Sequence, residues 1–170
     1  MKLKLKSSIF MFLVLGLSAL AVAGIYWLQV YRFPYGDRGC AIICLGHSLR
    51  AYAAEHGGRY PTNATSGLLA LQQLYPIYAD EYQLAGLSGD RARARSRLKS
   101  GLPLDEESCS IVYVQGYNLS SNSEALLLWE REPGLLANAC RGPMNLRAAL
   151  RVSGGLVYVD VAARGDLPRR

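Results

Sequence analysis

Histidine is nearly missing from this chain. There are two, His47 and His56, and both fall in or beside one predicted helix. No G-x-S-x-G elbow is present to expose a serine nucleophile, and no H-E-x-x-H pair to hold a hydrolytic zinc. The commonest hydrolase signatures are excluded, and any other catalysis has few bases to draw on. Acidic residues are missing from the whole first segment, with none before Asp37. Internal repeats and low-complexity tracts are also missing, which excludes solenoid and fibrous organisation. A large basic surplus is lacking too. The formal net charge is +6, but three of those charges are Lys2, Lys4 and Lys6. The remainder is only mildly basic, so nucleic acid is not an expected partner.

The most distinctive feature present is the apolar run from Ile9 to Val30 that follows those three lysines. Its only polar side chains are Ser18, Gln29 and the interfacial aromatics Tyr26 and Trp27. About 20 such residues suffice for a helix to cross the hydrocarbon core, because a helix satisfies its own backbone there. The predicted anchor is marked by Ile9, Phe12, Leu15, Leu20, Ile25, Trp27 and Tyr31. The lysines stay in the cytoplasm, and Tyr26, Trp27 and Tyr31 mark the far interface. The membrane lipid is then one partner, and everything from Arg32 onward lies outside the cytoplasm. The rival reading is a secreted domain with a cleaved signal peptide, its apolar centre at Ile9–Leu20 and its small residues at Ala21-Val22-Ala23. Against it, the run continues through Gly24-Ile25-Tyr26-Trp27-Leu28. A lipoprotein signal is not expected, because Cys40 follows Arg38-Gly39 and Cys44 follows Ile42-Ile43.

What remains suits one domain with one modest core. The four cysteines all lie beyond the apolar run, where an oxidising compartment lets thiols pair. Three complete pairings exist. Cys109 with Cys140 is favoured, since these flank a predicted hairpin and closing that loop would contribute ~3–4 kcal/mol in the chain-entropy model. Cys40 and Cys44 stand one helical turn apart with parallel Cβ directions, which disfavours a bridge between them.

Pro34 and Gly36 break the first helix. A second is expected from about Cys40 to Glu55, with Ile43, Leu45, Leu49, Tyr52 and Ala53 at mixed three and four spacing. Gly57-Gly58 stops it. A third follows a cap at Thr65 or Ser66, presents Leu68, Leu69, Leu71, Leu74 and Tyr75, and ends at Pro76. Ile77 to Leu87 reads as a compact tyrosine-rich connection. Gly89 to Leu104 reads as an exposed loop. The last third reads as antiparallel β: Ser110–Gln115, Glu124–Trp129, a short helix or strand at Leu146–Val152, and a final strand at Leu156–Val161.

Three candidate sites stand against plainer readings. Arg91, Arg93, Arg95, Arg97 and Lys99 alternate, so a strand would align all five charges and a helix would scatter them. They suit an anionic lipid, a partner or an acidic cell-surface polymer; the plainer reading is a solvated loop balanced by Asp105, Glu106 and Glu107. Cys40, Cys44 and His47 share a helix face and form three of the four ligands a closed zinc site needs. No fourth is nominated, so neither metal nor cofactor is expected. Cys44 with His47 has no orienting group for nucleophilic catalysis. Asn63-Ala64-Thr65 and Asn118-Leu119-Ser120 match glycosylation sequons.

The order of the pieces resembles that of type IV pilins and the pseudopilins of type II secretion, in particular proteins related to the major pseudopilin. The residues that carry the likeness begin with the stretch from Cys44 through Leu49 and Tyr52 to Gly57-Gly58-Arg59-Tyr60-Pro61. Leu71-Gln72-Gln73-Leu74-Tyr75-Pro76-Ile77-Tyr78 follows, then Cys109-Ser110-Ile111-Val112-Tyr113-Val114, and finally Val157-Tyr158-Val159-Asp160. The likeness spans roughly residues 40–162. It does not extend to the prepilin cleavage motif or to the glutamate that follows it in pilins.

That resemblance implies an α+β fold: an N-terminal transmembrane helix, then an amphipathic helix packed on a small antiparallel sheet. The expected organisation is a basic cytoplasmic segment at 1–8, a membrane helix at 9–31, a linker at 32–39, an extracytoplasmic domain at 40–162 and a loose tail at 163–170. The expected function is that of a non-catalytic subunit or accessory protein of a type II secretion or pilus-like system. It would sit in the cytoplasmic membrane and touch other envelope or secretion-system proteins, with no small-molecule substrate. The alternative is a module that binds an envelope polymer or anionic lipid through the Arg91–Lys99 run.

Overall fold

The computed structural model describes residues 2–32, 36–132 and 146–160. It has five helices and one four-stranded sheet among those residues. Helix α1 spans Lys2–Arg32. Its stretch Met11–Leu28 is long and apolar enough to cross a membrane, and none of it is buried against the rest of the chain.

Helix α2 spans Gly36–Glu55 and so begins one turn before the Cys40 expected from the apolar pattern. Ile42, Leu45, Leu49 and Ala53 recur at three and four spacing and are fully buried. They form one stripe, with Ile43 and Tyr52 half-buried at its borders. Gly57 and Gly58 both take positive φ just beyond the helix, a conformation glycine adopts without a Cβ clash.

Three short helices follow. In α3, Gly67–Gln72, the Ser66 hydroxyl accepts the Leu69 N–H, which settles the cap between the two residues the sequence offered. Helix α4, Glu81–Ala85, starts with a capping box between Asp80 and Gln83. Helix α5 is Arg91–Lys99, capped by Asp90.

The sheet is a meander of β1 (Ile111–Tyr113), β2 (Leu126–Glu130), β3 (Arg147–Arg151) and β4 (Leu156–Val159), in the order β1-β2-β3-β4 with every pair antiparallel. The ambiguous segment 146–152 is therefore a strand. α2 lies against the sheet and touches β2, β3 and β4. Gly46 faces Leu150 on β3, where an added Cβ would meet Leu150 Cδ2 at 2.4 Å. The sheet thus approaches the helix closely at that point.

The core lies between α2 and the sheet and continues under α3, α4 and α5. Tyr60, Leu71, Leu74, Leu84, Ile111 and Leu128 join the α2 stripe there. Residues 59 and 118 form an isolated antiparallel bridge that ties the exit of α2 to the loop before β2.

Candidate functional site

Two surfaces stand out, one apolar and one charged. The apolar surface is α1 itself. Phe12 is 68% exposed and Leu20 71% exposed. Leu15, Ile25, Trp27 and Tyr31 are exposed as well, with the Trp27 and Tyr31 rings stacked at 6.0 Å. Ile9 also belongs to α1. Apolar side chains all round a helix with nothing packed on them suit lipid far better than water. Ser18, the polar exception, returns its hydroxyl to Val14 O at 2.8 Å, so the helix absorbs that donor.

The charged surface is α5. The sequence suggested an exposed loop over Gly89–Leu104, and the structure corrects this to a nine-residue helix at its centre. Three local causes act together. The Asp90 carboxylate accepts the Arg93 N–H at 3.0 Å. Ala94 and Leu98, one turn apart, are buried. Arginine and lysine are also good helix formers by their unbranched stems.

Helical geometry then divides the five basic residues. Arg93 and Arg97 share a face and are both spent on Asp105. Arg93 Nη2 lies 2.6 Å from Asp105 Oδ2, and Arg97 Nη1 lies 3.1 Å from it. Arg93 also reaches Glu107 at 2.7 Å, and Arg97 Nε donates to Pro103 O at 2.5 Å. The Arg93 guanidinium holds the Asp105 carboxyl well below the usual carboxylate range, and the Ser108 hydroxyl and N–H help. Of the three acidic residues expected to balance the run, Asp105 and Glu107 do so, whereas Glu106 pairs with Arg131 at 2.8 Å.

Arg91, Arg95 and Lys99, at i, i+4 and i+8, lie on the other side of the buried Ala94–Leu98 stripe from Arg93 and Arg97. Arg95 Nε pairs with Glu81 of α4 at 2.6 Å. The Arg91 guanidinium lies 5.0 Å from the centre of the Tyr82 ring. Among the described residues, neither Arg91 nor Lys99 has a carboxylate within ion-pair distance. Between α4 and α5 these side chains line an open groove of about 470 Å³ with Glu81, Tyr82 and Ser96.

The remaining predicted residues do not converge. Cys44 and His47 are exposed on α2 and Cys40 is half-buried. No group of three or more potential metal ligands occurs among the described residues. Cys109 is a buried free thiol that burial pushes up to about pKa 12. Its expected partner, Cys140, lies outside the described residues. His56 stacks on Tyr52 at 3.8 Å, and Tyr78 donates from its hydroxyl to Glu55 at 2.5 Å.

Sequence reasoning missed one charged residue entirely. Glu130, at the end of β2, is fully buried. It accepts the Ser110 hydroxyl at 2.6 Å and the Leu87 N–H at 3.0 Å. The Ser110 hydroxyl lies between that carboxylate and the Ala85 carbonyl, 3.2 Å away. The network fastens the end of α4 to the sheet. The only sequence signal was a serine just before β1, which by itself says nothing. Beside it, the Arg131 Nε is buried without a hydrogen-bond partner among the described residues.

No known protein family matches this chain, and neither does any curated protein or solved structure.

Proposed function

We propose that this chain is a non-catalytic, membrane-anchored, pseudopilin-like subunit or accessory protein of a secretion or pilus-like assembly. Its N-terminus lies in the cytoplasm, α1 crosses the cytoplasmic membrane once, and the α+β domain is held outside. One observation carries the reading. A long apolar helix with no partner in its own chain is followed by a second helix, one face of which a four-stranded antiparallel meander covers. Lipid meets the first helix, the sheet takes one stripe of the second, and the outer stripe of α2 with Cys44 and His47 stays free for another protein. The buried polar side chains of the domain serve packing: Tyr60, Tyr113 and Glu130 hydrogen-bond to groups inside it. The anchor is retained without cleavage in this reading, consistent with the absence of any acidic residue before Asp37.

The test has two parts. Intact mass of the protein from its native membrane fraction should show residue 1 or 2 at the amino terminus, with the chain resisting carbonate extraction. A photo-crosslinker at position 47 should give discrete adducts with envelope proteins, lost when the probe is moved to the buried position 49. A soluble species starting near Gly24, or no adduct from any exposed position on α2, would sink the proposal.

A further inference from the structure

We infer that the groove between α4 and α5 is a binding site for a single strand of acidic polysaccharide. The inference stands apart from the assembly role, because it rests on a surface that neither α1 nor the outer stripe of α2 contributes.

Division of the basic run is the first argument. Arg93 and Arg97 already hold Asp105 and Glu107, so their charge is locally balanced. Arg91 and Lys99 form no ion pair with a carboxylate among the described residues, although Lys99 stands near enough to Glu81 to help hold it ionised. Eight residues separate them, which places them ~12 Å apart along the helix axis on one face. The result is a line of positive charge with gaps, unlike the compact cluster that seats a lone phosphate.

What lies between the two charges is the second argument. The Tyr82 ring is 52% exposed and borders the groove. The Arg91 and Arg95 guanidiniums lie 5.0 and 6.0 Å from its centre, so the part of the ring they leave open is what the C–H face of a sugar ring can meet. Glu81 and Ser96 line the same groove. Glu81 is held in its ionised form, chiefly by its own backbone N–H and by Arg95. A fixed carboxylate and a hydroxyl are acceptors and a donor for sugar hydroxyls.

The third argument is exclusion. A bilayer surface rich in anionic headgroups is flat and offers few hydroxyl donors, so it would leave a concave groove unfilled. A uronic-acid polymer has what the groove complements at each point. Its carboxylates meet Arg91 and Lys99, its hydroxyls meet Glu81 and Ser96, and its ring face meets Tyr82. Long-range attraction by the two cations that form no ion pair aligns the strand along α5.

The test uses the full-length chain in nanodiscs of uncharged phosphatidylcholine, with fluorescein-labelled oligogalacturonate as the probe. Binding is expected, and neutral dextran should not compete. The double variant Arg91→Gln/Lys99→Gln should weaken binding by about tenfold, and Tyr82→Ala by less. Arg59→Gln, an exposed arginine that does not line the groove, should leave it unchanged. Raising ionic strength should weaken the wild type and scarcely affect the double variant. Circular dichroism of each variant establishes that the fold is retained. The inference fails if oligogalacturonate does not bind, if the double variant binds as the wild type does, or if Arg59→Gln costs as much. It also fails if the nanodiscs capture phosphatidylglycerol vesicles through Arg91 and Lys99 while ignoring the oligosaccharide, which would assign the groove to lipid headgroups.

Discussion

Helices α1 and α2 solve the same problem in opposite ways. Both carry many large apolar side chains. In α2 Ile42, Leu45, Leu49 and Ala53 recur at three and four, so they fall on one stripe and vanish beneath the sheet, while Cys44, His47 and Arg50 stay exposed. In α1 the apolar side chains follow one another without interruption, and Met11–Leu28 buries nothing against the chain. The lesson is that unbroken apolar length marks α1, whereas α2 mixes apolar and polar residues and buries one stripe: a stripe asks for one neighbour, and a full circumference asks for a solvent.

The sharpest way to break this comparison is to truncate one leucine in each helix. Leu49→Ala leaves a cavity between α2 and the sheet and should lower the domain's unfolding free energy by ~2–5 kcal/mol, read by denaturant titration in detergent. Leu15→Ala should leave that titration unchanged. Equal effects would mean that α1 packs on the domain after all. A charge in α1 comes next in size. Leu20→Arg, near the middle of the span, should oppose insertion by ~2.5–3.5 kcal/mol and move the chain out of the carbonate-resistant fraction, while the domain's own unfolding stays where it was.

Smaller effects sharpen the picture of what α2 and the sheet hold in place. Gly89 sits where a Cβ would lie 2.2 Å from Ala85 O and 2.8 Å from Ser108 O, both backbone atoms that cannot swing aside. Gly89→Ala should cost ~1–3 kcal/mol and loosen α5 first, visible as faster amide exchange at Ala94 and Leu98. The smallest effect is on pH. Asp105 has a folded-state pKa below its unfolded value, because Arg93 holds it ionised. Its contribution is therefore complete above about pH 4 and is lost as pH falls below the unfolded value of about 3.9 toward the lower folded one. Asp105→Asn should flatten that acid limb of the melting-temperature profile and leave the neutral plateau only slightly lower, because the pair is partly solvated.

These residues also mark how far the sequence could be read. The α2 stripe was legible because Leu45, Leu49 and Ala53 are close enough in sequence for periodicity to place them together. The Ser66 cap, the final strand and the antiparallel character of the last third were legible for the same reason. The α5 helix was not. Its residues look like a solvated loop until Asp90 caps them and Glu81, Asp105 and Glu107 neutralise them, and those partners come from separate segments. β3 was ambiguous because Arg-Ala-Ala-Leu-Arg has no β-branched residue; its neighbours β2 and β4 decide it by pairing on both sides. Glu130 was invisible, since a glutamate after an apolar strand reads as the return to solvent. Only the approach of Leu87 and Ser110 turns it into a buried fastening.

The β1-β2-β3-β4 order has a consequence for how the chain is made. Each strand pairs with the one that precedes it, and α2 is synthesised before all of them. A chain leaving a narrow exit amino end first therefore meets each docking surface already in place. The exposed edge of each strand waits only for the next strand to be made, so the interval during which an unpaired edge can recruit a foreign strand is kept short.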